Sequence, residues 1–198
     1  MKCSENRNTG GFTLIELLVS MGIGMVVLGA VTTTFMSQTK FYSAQEQVNE
    51  MEQNARGALD IITRELKMAG YNPGGAIFAG VTFYDTSQLQ IKADLNAVSD
   101  IQDNTNENIT YAYDDSNFRI TRTLGGETAQ VLADNITAFT FTCYKADGAT
   151  TTTTSSEIRQ VKIDITARTA KPDPNYTANG GYRTYQVIAT ITPLNLAF

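Results

Sequence analysis

Residues 11–36 read Gly-Phe-Thr-Leu-Ile-Glu-Leu-Leu-Val-Ser-Met-Gly-Ile-Gly-Met-Val-Val-Leu-Gly-Ala-Val-Thr-Thr-Thr-Phe-Met. From Phe12 onward this stretch carries one charge, Glu16. As a helix it would extend about 37 Å, enough to cross a hydrocarbon core of about 30 Å. Ahead of it, residues 1–11 are short and polar and include Lys2 and Arg7, and the next basic residue is Lys40. That asymmetry favours a cytoplasmic N-terminus with the rest of the chain outside. An ordinary secretory signal has a shorter apolar core and a small-residue cleavage site after it. Here Gly10-Gly11 precedes the core, and the apolar segment runs on into a polar helical pattern, so it reads as a retained anchor.

Glu16 is the anomaly in that anchor. A carboxylate near the middle of a membrane helix costs about 2.5–3.5 kcal/mol, so such a residue usually has a partner and a function. If the chain is cut between Gly11 and Phe12, Glu16 becomes the fifth residue, one helical turn from a new α-amine. The amine of a neighbouring subunit would be a suitable partner, since pairing removes much of the penalty of a buried charge. The plainer reading is a glutamate that reaches the cytoplasmic interface along its own stem.

The run Gly11-Phe12-Thr13-Leu14-Ile15-Glu16, followed by Leu17-Leu18-Val19-Ser20, resembles the class III signal of type IV prepilins. The resemblance implies that a prepilin peptidase cuts after Gly11 and N-methylates Phe12, and that Glu16 is the carboxylate that sets assembly register. Major pilins, minor pilins and type II secretion pseudopilins share the motif. Many major pilins carry a proline about ten residues beyond the position of Ser20, where this chain has Ala30-Val31-Thr32-Thr33-Thr34. Gly22, Gly24 and Gly29 serve either local melting, at about 1 kcal/mol each, or close helix packing in lipid.

Beyond the anchor, Phe41, Ala44, Val48, Met51, Ala55, Ala58, Ile62, Leu66 and Ala69 recur at three- and four-residue steps, which predicts an amphipathic helix. Arg56, Asp60 and Arg64 are spaced for an exposed ion-pair ladder on its other face. Gly70 followed by Pro73 ends it. Residues 55–71 resemble the corresponding helix of PilW-type minor pilins, whose ending is similar to Lys67-Met68-Ala69-Gly70-Tyr71. After Tyr71 the period changes to two. Strands are expected at residues 81–84, 89–93, 109–113, 118–122, 131–132, 139–144, 158–168 and 182–192. Turns are expected at 114–117 and 125–126, and loops at 97–108, 149–156 and 171–181.

The expected architecture is therefore α+β, a type IV pilin fold with one long helix packed on an antiparallel sheet. Its parts are a leader at 1–11, a membrane half-helix at 12–36, an amphipathic half-helix at 37–70 and a β-rich head at 71–198.

The formal charge is −5, and cleavage after Gly11 would leave 13 basic against 19 acidic residues. An acidic head argues against a nucleic-acid surface. There is no histidine, and of the two cysteines Cys3 lies in the leader, which leaves Cys143 as a small buried strand residue with no internal disulfide partner. Cys3 does not fit a lipoprotein signal, since no apolar stretch precedes it. Zinc ligand sets, nucleophile elbows and phosphate loops are missing, so no enzyme activity and no cofactor are expected. Asp94, Asp100, Asp103, Asn104, Asn106, Glu107 and Asn108 form an oxygen-rich stretch whose spacing is not that of an EF-hand; it is a weak calcium candidate beside a solvated loop.

The resemblance implies a minor pilin held in the bacterial inner membrane with its head in the periplasm, then moved to the filament or its tip. Its partners would be other minor pilins, the major pilin, the prepilin peptidase, the inner-membrane assembly platform and a tip adhesin, in pili that serve adhesion and motility. Two other readings stand beside it: a type II secretion pseudopilin similar to GspJ, and a membrane-tethered pilin that binds DNA or another ligand.

Overall fold

The structure is a computed structural model, and it describes residues 11–97 and 106–196. Helix α1 spans Leu14–Met68. The chain divides into two compact units, one up to Gln45 and one from Glu46 onward.

In the first unit the helix is exposed along its length. Phe12, Leu14, Ile15, Met25, Val26, Leu28 and Phe35 are among its open apolar side chains. This stretch of α1 is long and apolar enough to cross a membrane. Among the described residues, nothing beyond the helix's own nearby backbone lies within 4 Å of an added Cβ at Gly22, Gly24 or Gly29.

The second unit contains the core. Of the helical stripe expected from the sequence, Met51, Ala55, Ala58, Ile62, Leu66 and Ala69 are buried, Ala44 and Val48 are half-buried, and Phe41 is exposed. On the opposite face Arg64 pairs with Asp60, while Arg56 reaches back to Glu52 at 3.8 Å instead of completing the expected ladder. Such exposed pairs contribute little.

Eight strands follow the helix: β1 Val81–Asp85, β2 Gln88–Lys92, β3 Asn108–Asp114, β4 Arg119–Leu124, β5 Gln130–Asp134, β6 Ile136–Tyr144, β7 Gln160–Arg168 and β8 Thr184–Ile191. Their alternation of buried and open residues is plainest in β7, where Val161, Ile163, Ile165 and Ala167 point inward. The expected antiparallel sheet is realised as two meanders, β1-β2-β3-β4-β5 and β6-β7-β8.

The division falls on one residue. Asn135 stands between β5 and β6 with φ +59°, a left-handed conformation that asparagine tolerates, and there the chain leaves one sheet for the other. Its carbonyl accepts from the Arg168 N–H at 2.8 Å, and the Ile136 N–H donates to Phe118 O at 2.8 Å, tying β6 to both sheets. The Arg168 guanidinium also lies over the ring of Phe118 at 4.1 Å and that of Tyr182 at 4.7 Å. Cys143 is buried on β6, and burial pushes its thiol pKa up to about 12, the behaviour of a packing residue.

Candidate functional site

The N-terminal motif forms a compact local structure. Thr13 precedes the first helical residue, and its N–H and Oγ1 both donate to Glu16 Oε2 at 2.8 Å. The Glu16 N–H donates back to Thr13 Oγ1 at 3.3 Å. This reciprocal arrangement is a capping box, which satisfies helix N–H groups that have no intrahelical partner. The signal is present in the sequence as Thr13-x-x-Glu16 but is masked by the apolar run around it. The carboxylate also sits where the positive end of the helix dipole favours a negative charge. Phe12 is 90% exposed, and among the described residues no atom lies within 4 Å of a Cβ placed on Gly11.

In the second unit one polar cluster joins the helix to the first sheet. Glu65 on α1 accepts from Arg122 of β4 in a forked geometry, with Nη2 to Oε1 at 2.7 Å and Nε to Oε1 at 3.1 Å. The Tyr111 hydroxyl of β3 donates to Glu65 Oε2. The Glu65 and Arg122 side chains are about four-fifths buried, so Coulomb attraction offsets a real desolvation cost and the cluster chiefly fixes how the helix sits on β3 and β4. These residues are 46 and 57 positions apart in sequence, and no local pattern links them.

Burial, and then the adjacent Glu65 carboxylate, raise the Tyr111 phenol pKa above its ordinary value. The fold thus favours the neutral phenol. Its contribution is complete below pH ~10 and is lost as pH rises above that value, at up to ~1.4 kcal/mol per pH unit. Tyr111→Phe is expected to cost about 2 kcal/mol at pH 7, the range of a hydrogen bond to a charged group. The gap should narrow above pH ~10. Urea denaturation of the full chain in detergent at several pH values checks this, and a constant gap would remove the titration argument.

Two residues of the calcium candidate have structural employment. Asp94 Oδ2 accepts from the Gly74 N–H at 2.9 Å and its Oδ1 from the Ala97 N–H at 2.7 Å. Glu107 Oε1 accepts from the N–H groups of Leu95 and Asn96 at 2.9 and 3.0 Å. Both carboxylates are buried and organise the loop backbone. Asp100, Asp103 and Asn104 lie outside the described residues. Among the described residues no group of three His, Cys, Asp or Glu side chains comes together.

Helix and sheets together form a type IV pilin fold. Compared with solved structures, the chain is similar to a type IV-like pilin from Thermus thermophilus, with a TM-score of 0.51 and 13% identity, over 74% of this chain and 98% of that one. Residues 6–32 match the family described as the Prokaryotic N-terminal methylation motif. Over 60 residues the chain is 35% identical to the pilin-like protein PilA3 of Thermus thermophilus. That match covers 30% of this chain and 26% of PilA3, so it spans about a quarter of that relative's length. The chain thus carries a prepilin-type methylation motif on a pilin fold and is similar to pilin-like proteins of Thermus. The motif and the exposed apolar half-helix support membrane anchoring.

Proposed function

We propose that this chain is a structural minor pilin that helps start or cap a type IV pilus. The observation that carries the reading is Glu16, a carboxylate in an otherwise apolar, exposed half-helix, one turn from the Gly11–Phe12 bond. A prepilin peptidase cuts after Gly11 and methylates Phe12. The new α-amine of one subunit then pairs with Glu16 of its neighbour, and the cost of a carboxylate in hydrocarbon becomes a force for assembly in one axial register. Residues 12–36 hold the chain in the inner membrane with the head in the periplasm until it is drawn into the filament. The unpartnered Gly22, Gly24 and Gly29 allow helices of other pilins to approach closely. The PilW-like assignment rests on residues 64–71, where Leu66 and Ala69 fill the core and Gly70 turns the chain at φ +78°. Partners are other minor pilins, the major pilin, the assembly platform and a tip adhesin.

Deleting the gene should reduce surface piliation sharply and leave type II secretion intact. Normal piliation and motility in the deletion strain would overturn the reading, and loss of a secreted protein with normal pili would assign the chain to a pseudopilus instead.

A further inference from the structure

Among the described residues, no strand pairs with the outer edge of β8. Antiparallel ladders alternate, so each residue on a strand directs its peptide groups either to the partner or away from it. The Thr169 N–H donates to Arg183 O at 2.9 Å, which fixes the alternation in the uninterrupted β7–β8 register from Arg168↔Thr184 to Val161↔Ile191. Tyr185, Val187, Ala189 and Ile191 face β7. The peptide N–H and C=O groups of Thr184, Gln186, Ile188 and Thr190 point outward. Among the described residues these outward backbone groups have no backbone partner.

Exposed edges are usually guarded by charge, proline, short length or a bulge. The other sheet edges here follow that rule. β1 and β5 have five residues each, both pair through a shifted register, and they end on Asp85 and Asp134. The free side of β6 is taken up within the chain, by Thr86 O on the Phe141 N–H and by the Thr152 N–H on Cys143 O. β8 has eight residues, Thr-Tyr-Gln-Val-Ile-Ala-Thr-Ile, with no charge, no proline and no bulge, and Ile188 on it is 49% exposed. Among the described residues it is the sheet edge without these guards.

We propose that β8 receives an extended strand from a neighbouring pilin subunit, which continues the three-stranded sheet across the subunit boundary. The inference rests on the assembly reading above. A β8 edge of a second copy is not the occupant. β8 runs along α1 in the same sense, since Arg56 lies 5.3 Å from the Tyr185 ring while the Leu194 N–H donates to Lys67 O. Antiparallel β8–β8 pairing would therefore reverse residues 46–68 of one copy relative to the other, and parallel pairing would put them on opposite faces of the joined sheet, whereas subunits side by side in a filament share one direction and one facing. The occupant is an extended segment of a different subunit, held mainly by main-chain hydrogen bonds, and the uncharged edge matches it to an uncharged stretch.

The backbone origin of the contact sets the test. Ile188→Pro removes one outward N–H and leaves the ladder to β7 intact, because proline is tolerated where an edge N–H faces outward. Ile188→Ala removes the side chain and keeps the N–H. The full chain is produced in piliated cells of its host and quantified in sheared filaments. Wild type and Ile188→Ala should be recovered alike, with Ile188→Pro about tenfold lower. Equal recovery of Ile188→Pro, or an equal loss with Ile188→Ala, would overturn the proposal. Hydrogen exchange on wild-type filaments needs no variant. The amides of Gln186, Ile188 and Thr190 should exchange about a hundredfold more slowly in filaments than in detergent-dissociated chains, and unchanged exchange overturns the proposal. If wild type itself is missing from filaments, the assembly reading falls and this inference falls with it.

Discussion

Glu16→Ala should leave cleavage after Gly11 intact and lower recovery of the chain in filaments by about a hundredfold. The magnitude follows from the anchor. A carboxylate in hydrocarbon costs about 2.5–3.5 kcal/mol, and relief of that cost by a neighbour's amine is available only in the assembled state. At about 1.4 kcal/mol per tenfold, losing most of it corresponds to two orders of magnitude in assembly. Glu16 also caps the helix through Thr13, so alanine removes two functions together. Glu16→Gln separates them. An amide oxygen still accepts from the Thr13 N–H and keeps the capping box, but it brings no charge to the neighbour's amine. The expected result is that chains carrying Glu16→Gln are processed, keep a normal helix signal by circular dichroism and assemble as poorly as the alanine variant. Wild-type incorporation of Glu16→Gln would show that capping, rather than charge pairing, is what selection acts on at this position.

The same helix shows how far the sequence can be read. The apolar run, the stripe from Met51 to Ala69 and the period-two segments each express one local rule, burial on a repeating face, and each appears in the structure near where that rule places it. Features that depend on chain reversals are less visible. The switch between sheets hangs on Asn135, whose left-handed backbone has no signature beyond being an asparagine between two strands. The Glu65–Arg122–Tyr111 cluster is unreadable for a related reason, since Tyr111 and Arg122 face each other only once the β3–β4 register is set, and Glu65 joins them only when the helix packs there. The cap between Thr13 and Glu16 is the opposite case. Its four-residue pattern is local, yet a carboxylate in an apolar run draws attention to long-range pairing before short-range capping.

The largest stability effect is expected at a contact that no local pattern announces, where the end of the helix meets the approach to β1. Gly80→Ala should destabilise the head by about 3 kcal/mol, combining overpacking with the loss of a backbone hydrogen bond. A Cβ on Gly80 would lie 2.4 Å from the Gly70 nitrogen and 2.6 Å from its Cα. These are main-chain atoms, which no rotamer change can move. Nor can the backbone easily separate. The Lys92 N–H donates to Gly80 O at 2.8 Å, and the Gly70 N–H donates to Lys92 O at 2.9 Å, so one residue of β2 holds both glycines together. Moving either away breaks one of those bonds. Gly70→Ala meets a different obstacle. Its φ of +78° costs about 1–2 kcal/mol for a residue with a Cβ, while its closest contact, at 2.6 Å, is the Leu196 Cδ2 at the end of a movable side chain. The expected order in urea denaturation of the full chain in detergent is therefore Gly80→Ala more destabilising than Gly70→Ala. The reverse order would mean that the Leu196 packing is the rigid element, and that β1 and the helix end have room to part.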